Sequence, residues 1–364
     1  MLTLGLDIGG ANTKIAACST QEHRPPRMRT RRPCLERVES RYFPFWQQHS
    51  RFPGFLRRVL KPHLRRPHHT IVTTTAELAD CFQTKRQGVR FVLSAVADVD
   101  PSAGVLLNSG KVAGLHEALA KPLMVAAANW VAPALLVGPL LPDSILIDVG
   151  STTTDITPIS QGRHQVKDPT DMGRLANHQL VYTGSLRTNV ATIVDRIPLD
   201  GHMIGVSSES FATSADVNLL LGLMGPKDFT VPTSDGGPAT RRGAMRRLSR
   251  VVCADTESLS RRDIVRMAEY IHSVQVSKLS QHIRSVANRY RSPAGLPCVL
   301  AGIGISTLAE PAARAAGLSD IRTFHRLLQT QLGLLFRGRP KDASADAPAA
   351  SLAIIGAMGD PTCG

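Results

Sequence analysis

A chain of 364 residues with 43% hydrophobic and 20% charged residues is too apolar to be disordered and too long for one ordinary core, so two domains are expected. The net charge of +14 is uneven, because residues 23–68 carry 13 Lys and Arg against two Glu. No nucleic-acid fold motif accompanies this basic segment, so we expect a solvated basic surface and no nucleic-acid partner.

Cysteine spacing and the apolar stretches bear on where the protein works. None of the six cysteines has C-x-x-C spacing, which indicates reduced thiols in a cytoplasmic protein and argues against a zinc site. The N-terminal MLTLGLDIGG lacks the features of a secretory signal. Residues 122–142 are uncharged, but Asn129, Pro133 and Pro139 favour a strand, a turn and a short helix over a membrane span.

Apolar runs and turn residues predict alternating strands and helices. The predicted strands are 2–8, 13–18, 70–75, 91–96, 124–128, 144–149, 153–159 and 298–305. The predicted helices are 53–64, 76–84, 211–224 and 260–289; residues 337–347 are expected to be a linker and 351–358 a helix or strand. Strand–glycine–strand units recur at Asp7 and Asp148, about one domain apart, which indicates a duplicated architecture.

Two glycine turns carry the clearest chemical signal. LGLDIGGANTK, residues 4–14, and LIDVGSTTTDI, residues 146–156, each end an apolar strand with aspartate and continue with glycine and small polar residues. Glycine allows a tight turn whose backbone N–H groups form a concavity that suits phosphate oxygens. The predicted phosphate-binding residues are Gly9, Gly10, Asn12 and Thr13 in the first turn and Gly150, Ser151, Thr152 and Thr153 in the second.

Charged residues beside the turns predict a metal-assisted site. Asp7 and Asp148 cannot bind phosphate directly but can hold a hydrated Mg²⁺ that bridges to it, and Lys14 adds a positive charge. We therefore expect one phosphate or diphosphate group in a cleft between the two domains. An ordinary hairpin without a ligand is the alternative for either turn alone.

A third glycine element is VLAGIGIS, residues 299–306. A strand that ends in Gly302 and Gly304 would let a nucleotide approach the backbone closely, although the third glycine of a dinucleotide fingerprint is absent.

These three elements, in this order, resemble the phosphate-one, phosphate-two and adenosine motifs of the actin, hexokinase and chaperone ATPase superfamily. A closer resemblance is to the hydantoinase/oxoprolinase family and its tetrahydromethanopterin-linked one-carbon-transfer members. It rests on both turns and on AELADCFQTKRQGVRFVL (76–93), AAANW (126–130), QLVYTGSLRTNV (179–190), FATSADVNLLLG (211–222) and RRLSRVVCAD (246–255). The resemblance implies an α/β fold of two actin-like, ribonuclease H-like domains, residues 1–125 with 335–364 and residues 126–334.

The resemblance also implies an enzyme of methanofuran synthesis. Such enzymes look like transferases that join a furanmethanol diphosphate to the phenol of γ-glutamyltyramine, forming an aryl ether and releasing diphosphate. Asp155 is a candidate base by its placement. Residues in family-like segments that are expected to line the substrate pocket are Glu77, Asp80, Lys85, Tyr182, Thr183, Arg187 and Thr188.

Two other functions suit the same residues. The turns fit ATP equally well, so an ATP-dependent kinase of a small metabolite or a hydantoinase-type hydrolase is one alternative. A basic regulator with the same fold is another, motivated by Arg29, Arg31 and Arg32. GIG, with its larger middle residue, departs from the adenosine motif and leaves ATP binding open; the acceptor and the oligomeric state are also open.

Overall fold

The structure, a computed structural model, describes residues 2–23, 30–290 and 295–359. Its strands are β1 Leu2–Ile8, β2 Asn12–His23, β3 Thr30–Tyr42, β4 His68–Thr74, β5 Gly104–Leu106, β6 Val112–Gly114, β7 Ser144–Val149, β8 Thr154–Ser160, β9 Arg163–His164, β10 Leu180–Val181, β11 Arg196–Leu199, β12 His202–Gly205, β13 Cys298–Ala301, β14 Ile321–Thr323 and β15 Leu335–Phe336.

Its helices are α1 Phe45–Gln48, α2 Phe52–Leu60, α3 Lys85–Ala97, α4 Leu115–Ala120, α5 Pro122–Val125, α6 Val131–Val137, α7 Asp171–Ala176, α8 Val190–Ile193, α9 Ser214–Leu221, α10 Arg241–Arg250, α11 Arg261–Ala287, α12 Glu310–Ala315, α13 Phe324–Gln331, α14 Pro340–Ala345 and α15 Ala347–Met358. None of these helices combines the length and the apolarity needed to cross a bilayer. The uncharged stretch 122–142 contains only the short helices α5 and α6.

The chain divides into two compact units. Unit 1 comprises Met1–Leu146, Thr157–Ala176 and Arg322–Gly364, and unit 2 comprises Ile147–Ile156 and Asn177–Ile321. The sequence assigns residues 126–146, 157–176 and 322–334 to the second domain, whereas the structure groups them with unit 1. The physical reason is packing within that unit, where α6 lies against both α15 and β9.

Unit 1 contains a seven-stranded sheet in the order β15-β3-β2-β1-β4-β5-β6. The strand β1 is antiparallel to β2 and parallel to β4, and it is buried along its whole length. The helix α15 packs against β1 and β2. A hydrophobic core that includes Phe43, Phe45 and Phe52 also contains residues of α2 and α3. The first glycine turn therefore emerges from a well-packed layer.

Unit 2 carries most of a second sheet, whose strands run in the order β10-β8-β7-β13-β14 with β9 beside β8. Its helical core is built from α8, α9, α10 and α11. The long helix α11 confirms the prediction for residues 260–289: the Ser260 side chain accepts the Asp263 N–H at 3.2 Å and so caps its first turn. The predicted strands 2–8, 144–149 and 153–159 are likewise observed, the last with its start one residue later.

Three local predictions were wrong. Residues 91–96 lie in α3, because Thr84 caps this helix by accepting the Gln87 N–H and Val89, Val92 and Leu93 are buried at helical spacing. Residues 76–84 form a single 3₁₀ turn, Ala76–Leu78, before that cap. Residues 124–128 pair with β4 only through one bridge at Ala126, because α5 occupies the preceding residues.

Helical structure also replaces the predicted linker. Residues 340–345 form α14, and residues 347–358 form α15, which is apolar and almost wholly buried. Residues 24–29, including Arg29, lie outside the described residues, as does the side chain of Arg31; Arg32 is exposed.

Candidate functional site

The first glycine turn joins β1 to β2 in unit 1. The Gly9 N–H donates to the Asn12 carbonyl at 2.9 Å and closes the turn. The carbonyls of Gly10 and Ala11 accept from the N–H groups of Phe45 and Phe43, at 3.0 and 2.9 Å. In the described part of the chain, the amides of Gly10 and Ala11 donate to no acceptor. The turn thus keeps two backbone donors available for an anion.

Two carboxylates flank one ammonium group at the base of this turn. Asp7 and Lys14 face each other across the hairpin, and Lys14 Nζ lies 3.2 Å from Asp7 Oδ2. Asp7 is only 2% exposed, and its other oxygen, Oδ1, has no hydrogen-bond partner among the described residues. Thr13, the predicted hydroxyl donor, is fully buried and its Oγ1 also lacks a partner in those residues.

Asp346 is the second carboxylate, and sequence reasoning missed it. Its Oδ1 lies 4.0 Å from Lys14 Nζ, although 332 residues separate the two in the chain. Burial raises the pKa of Asp346 to about 6, Lys14 opposes the shift, and the nearby Asp7 adds to it. The available signal was an aspartate directly before an apolar helix, the usual place of a helix cap.

The second glycine turn joins β7 to β8 and repeats the closing hydrogen bond. The Gly150 N–H donates to the Thr153 carbonyl at 2.9 Å. Residues of the QLVYTGSLRT segment brace the turn: Ser185 N–H donates to the Gly150 carbonyl at 2.9 Å and Arg187 N–H to the Ser151 carbonyl at 2.8 Å. Within the described ranges, the amides of Ser151 and Thr152 donate to no acceptor.

The third glycine element packs directly on the strand before this second turn. The Gly304 N–H donates to the Val149 carbonyl at 3.0 Å. A Cβ on Gly302 would lie 2.2 Å from the Val149 oxygen and 2.5 Å from Asp148 Oδ1, and Gly302 has φ of +86°. A Cβ on Gly304 would lie 2.3 Å from Val149 Cγ1. Close packing within unit 2 therefore accounts for both glycines, and a nucleotide contact stays a prediction.

The predicted residues around 182–188 divide into two kinds. Thr183 Oγ1 accepts from Gln275 Nε2 at 2.9 Å, and Thr188 Oγ1 accepts from the Gly184 N–H at 2.8 Å. Both threonines are buried, so these bonds hold the brace of the second turn. Tyr182 and Arg187 are exposed on the same segment. Asp148 and Asp155 are half-buried, and Asp155 lies opposite Leu180 in the β8–β10 pair.

Glu77 lies near the first turn, just after β4. The Thr75 N–H donates to the Ile8 carbonyl at 3.0 Å and joins the ends of β4 and β1. Glu77 is 2% exposed; its Oε1 accepts the Ala127 N–H at 2.8 Å, whereas Oε2 has no partner in the described chain. Burial raises the pKa of Glu77 to about 7, a value that suits proton transfer at neutral pH.

Lys85 and Asp80 complete the predicted pocket residues of unit 1. Lys85 Nζ forms an ion pair with Asp171 Oδ2 at 2.8 Å, and both groups act electrostatically on Glu77. Asp80 is exposed. No three His, Cys, Asp or Glu side chains of the described residues are close enough together to hold a metal ion. Mg²⁺ binding and a diphosphate shared by the two turns stay predictions.

Comparison with known proteins gives one family match and related sequences. Residues 69–334 match the hydantoinase/oxoprolinase family model. A synthase from Methanocaldococcus jannaschii is 33% identical over 292 residues, covering 80% of this chain and 83% of its own. A Methanococcus vannielii synthase is 34% identical over 167 residues, covering 46% of this chain and 73% of its own. Both are named for a furan-2-ylmethanamine that carries a γ-L-glutamylaminoethyl-phenoxymethyl group.

A solved structure gives the fold. Nucleotide-free acetone carboxylase, from a study of ATP-dependent acetone carboxylation, superposes with a TM-score of 0.54 at 13% identity, covering 88% of this chain and 68% of the other. The predicted α/β fold of the actin-like type is thereby confirmed.

Proposed function

We infer a function from the family, because the chain belongs to the hydantoinase/oxoprolinase family. We propose that it is a transferase of methanofuran biosynthesis. The reaction condenses a furanmethanol diphosphate with a phenol acceptor of the γ-glutamyltyramine type and releases diphosphate. The observation that carries the proposal is the 33% identity to a synthase of this product class across 80% of the chain.

The glycine turns suit the leaving group of this reaction. The C–O bond to diphosphate breaks while the phenol oxygen bonds to the furfuryl carbon, so negative charge builds on the departing diphosphate. The free amides of Gly10 and Ala11, and those of Ser151 and Thr152, are fixed donors that would stabilise this charge. Lys14 would add a cation beside the first turn.

The first turn offers too few ligands to bind a magnesium ion alone, so the ion would bind together with the diphosphate substrate. Asp7 has one buried, unpartnered oxygen and Asp346 lies beyond Lys14, so the protein offers few ligands and diphosphate and water would supply the rest. Asp7 would hold the ion, and Asp148 is the corresponding candidate in the second turn. When bound, Mg²⁺ would neutralise charge on the diphosphate oxygens.

The phenol must lose its proton as the ether forms. Glu77 is the strongest candidate in unit 1, because burial raises the pKa of Glu77 to about 7 and its Oε2 has no partner in the described residues. The proton would pass from the phenol oxygen to this carboxylate and then to water. Asp155 stays the alternative base predicted from the sequence.

Product analysis tests the proposal. The purified protein is incubated with an aminomethyl-furanmethanol diphosphate, γ-glutamyltyramine and Mg²⁺, and both diphosphate and the aryl ether are quantified. We expect equal amounts of the two products without ATP. Ether formation that requires ATP and yields ADP would instead support the ATP-dependent alternative. Acetone carboxylase, which shares the fold, comes from a study of an ATP-dependent reaction. Diphosphate release without any ether would contradict the transferase.

A further inference from the structure

A cavity of about 810 Å³ opens beside the first glycine turn, and none of the predicted site residues described above lines it. Its lining includes Tyr42, Phe43, Gln47, Arg51, Phe55 and Arg58. Tyr42 is the β3 partner of Asn12, and the Phe43 N–H donates to the Ala11 carbonyl at 2.9 Å. The wall of the cavity is thus bonded directly to the turn, and its volume is typical of small-molecule sites.

The cavity combines an aromatic floor with a cationic rim. The rings of Phe43 and Phe55 are buried with their centroids 4.6 Å apart, and the Arg58 guanidinium lies 6.0 Å from the Phe55 ring centre. Arg51 and Arg58 are exposed, and neither has a carboxylate at ion-pair distance among the residues that the structure describes. Such a surface favours a ligand with an apolar body and an anionic end.

The two glutamates of β3, the strand that leads to the cavity, are paired with other basic groups. Glu39 bonds to Arg37, Arg41 and His63, and Glu36 bonds to Arg66. Arg51 and Arg58 therefore keep their charge available for a ligand. A guanidinium group can grip a carboxylate through two parallel N–H bonds, which gives both affinity and orientation.

We propose that this cavity binds the γ-glutamyl end of the acceptor, with Arg51 and Arg58 holding its α-carboxylate. This inference rests on the proposed function, because the product named for the relatives carries a γ-L-glutamyl group on the phenoxy side. The α-carboxylate is the one full negative charge on that half of the product. The aromatic floor accommodates the methylene chain, and the Gln47 amide offers an acceptor for the α-ammonium group.

Acceptors with and without the carboxylate test the assignment. The variants are Arg51→Gln, Arg58→Gln and the double variant, assayed with γ-glutamyltyramine and with tyramine at saturating donor. Arg57→Gln is the matched control, because Arg57 is exposed beside Arg58 on α2 but does not line the cavity. We expect the double variant to lose about 10- to 100-fold in kcat/KM for γ-glutamyltyramine. Its kcat/KM for tyramine, the KM of the donor and all constants of the control should stay unchanged.

Other outcomes overturn the inference. An equal loss of kcat/KM with both acceptors would mean that the arginines do not recognise the α-carboxylate of γ-glutamyltyramine. A raised KM for the furan diphosphate would assign the cavity to the donor's phosphates, and unchanged kinetics would exclude any role in substrate binding.

Calorimetry separates this inference from the proposed reaction. If the wild-type protein makes no ether from either acceptor, the proposed function fails, yet binding can still be measured. We expect γ-glutamyltyramine to bind the wild-type protein more tightly than the double variant. Equal affinity for the two proteins would refute the cavity assignment on its own.

Discussion

The two glycine turns are closed by the same backbone hydrogen bond, but different kinds of residue surround them. Gly9 and Gly150 each donate to the carbonyl three residues later, at 2.9 Å in both turns. The first turn is surrounded by charges, with Lys14 between Asp7 and Asp346. The second turn follows Asp148, and residues 184–187 and 302–304 brace it through backbone hydrogen bonds and close packing.

This difference indicates that the residues around the two turns have different roles. Charges near an anion site act on binding and on the transition state, whereas tightly packed glycines act on the stability of the unit that contains them. Substitutions beside the first turn should therefore alter chemistry, and substitutions in the brace of the second turn should alter folding.

The largest effect is expected from the aspartates. Asp7→Ala and Asp148→Ala should each lower turnover by about a thousandfold or more, because each removes a carboxylate that would hold the Mg²⁺ that neutralises the diphosphate. Steady-state diphosphate release measures the loss, and circular dichroism checks that the fold remains. Asp98→Ala, an exposed aspartate at the end of α3, is the control. Near-normal activity in either variant would refute the assignment of that turn.

Two glycine substitutions test whether the residues that brace the second turn act on stability. Gly302→Ala should lower the free energy of unfolding by about 3 kcal/mol or more, because the new Cβ overlaps the Val149 carbonyl and φ is positive. Gly10→Ala should cost less than about 1 kcal/mol, because no heavy atom of the described residues lies within 4 Å of its Cβ position. Urea unfolding of both variants provides the values, and equal losses would contradict the proposed bracing.

The sequence predicted the two hairpins and the long helix because their signals are local. Apolar runs, glycine turns and the Ser260 cap all act within a few residues. It misassigned residues 91–96, whose FVLSAV run is equally compatible with a strand until the distant cap at Thr84 is recognised. The roles of Asp346 and Gly302 depend on contacts between residues far apart in the chain, which no local pattern encodes.

Glu77, which lies near the first turn, should make the stability of the folded protein depend on pH. Its pKa is raised from 4.5 to about 7, so the folded state holds a proton that the unfolded chain has released. The stability that this proton contributes is full below pH 4.5 and falls by about 3 kcal/mol as pH rises to 7.

Glu77→Gln removes this titration while its amide oxygen can still accept the Ala127 N–H. Relative to wild type, the variant should therefore become more stable by up to about 3 kcal/mol between pH 5 and pH 8. Urea unfolding at both pH values measures the difference, with exposed Glu209→Gln as the control. A constant difference across this range would show that the carboxyl does not titrate there.

The smallest effect concerns Asp346, which has no counterpart assigned at the second turn. At pH 8 its charge opposes an anion near Lys14, and removing it is worth about 1 kcal/mol. Asp346→Asn should therefore bind inorganic diphosphate about fivefold more tightly than wild type at pH 8. At pH 5, below the pKa of about 6, the two proteins should bind alike. Calorimetry at both pH values measures this, and weaker binding by the variant at pH 8 would mean that Asp346 chiefly positions Lys14.

A diphosphate that binds to the free amides of both turns is the prediction on which the proposed function depends most. Nuclear magnetic resonance of ¹⁵N-labelled protein during a titration with Mg²⁺ and diphosphate tests it directly. The account predicts that the amide signals of Gly10, Ala11, Ser151 and Thr152 shift together, with one common midpoint. Shifts confined to one turn, or two separate midpoints, would contradict it.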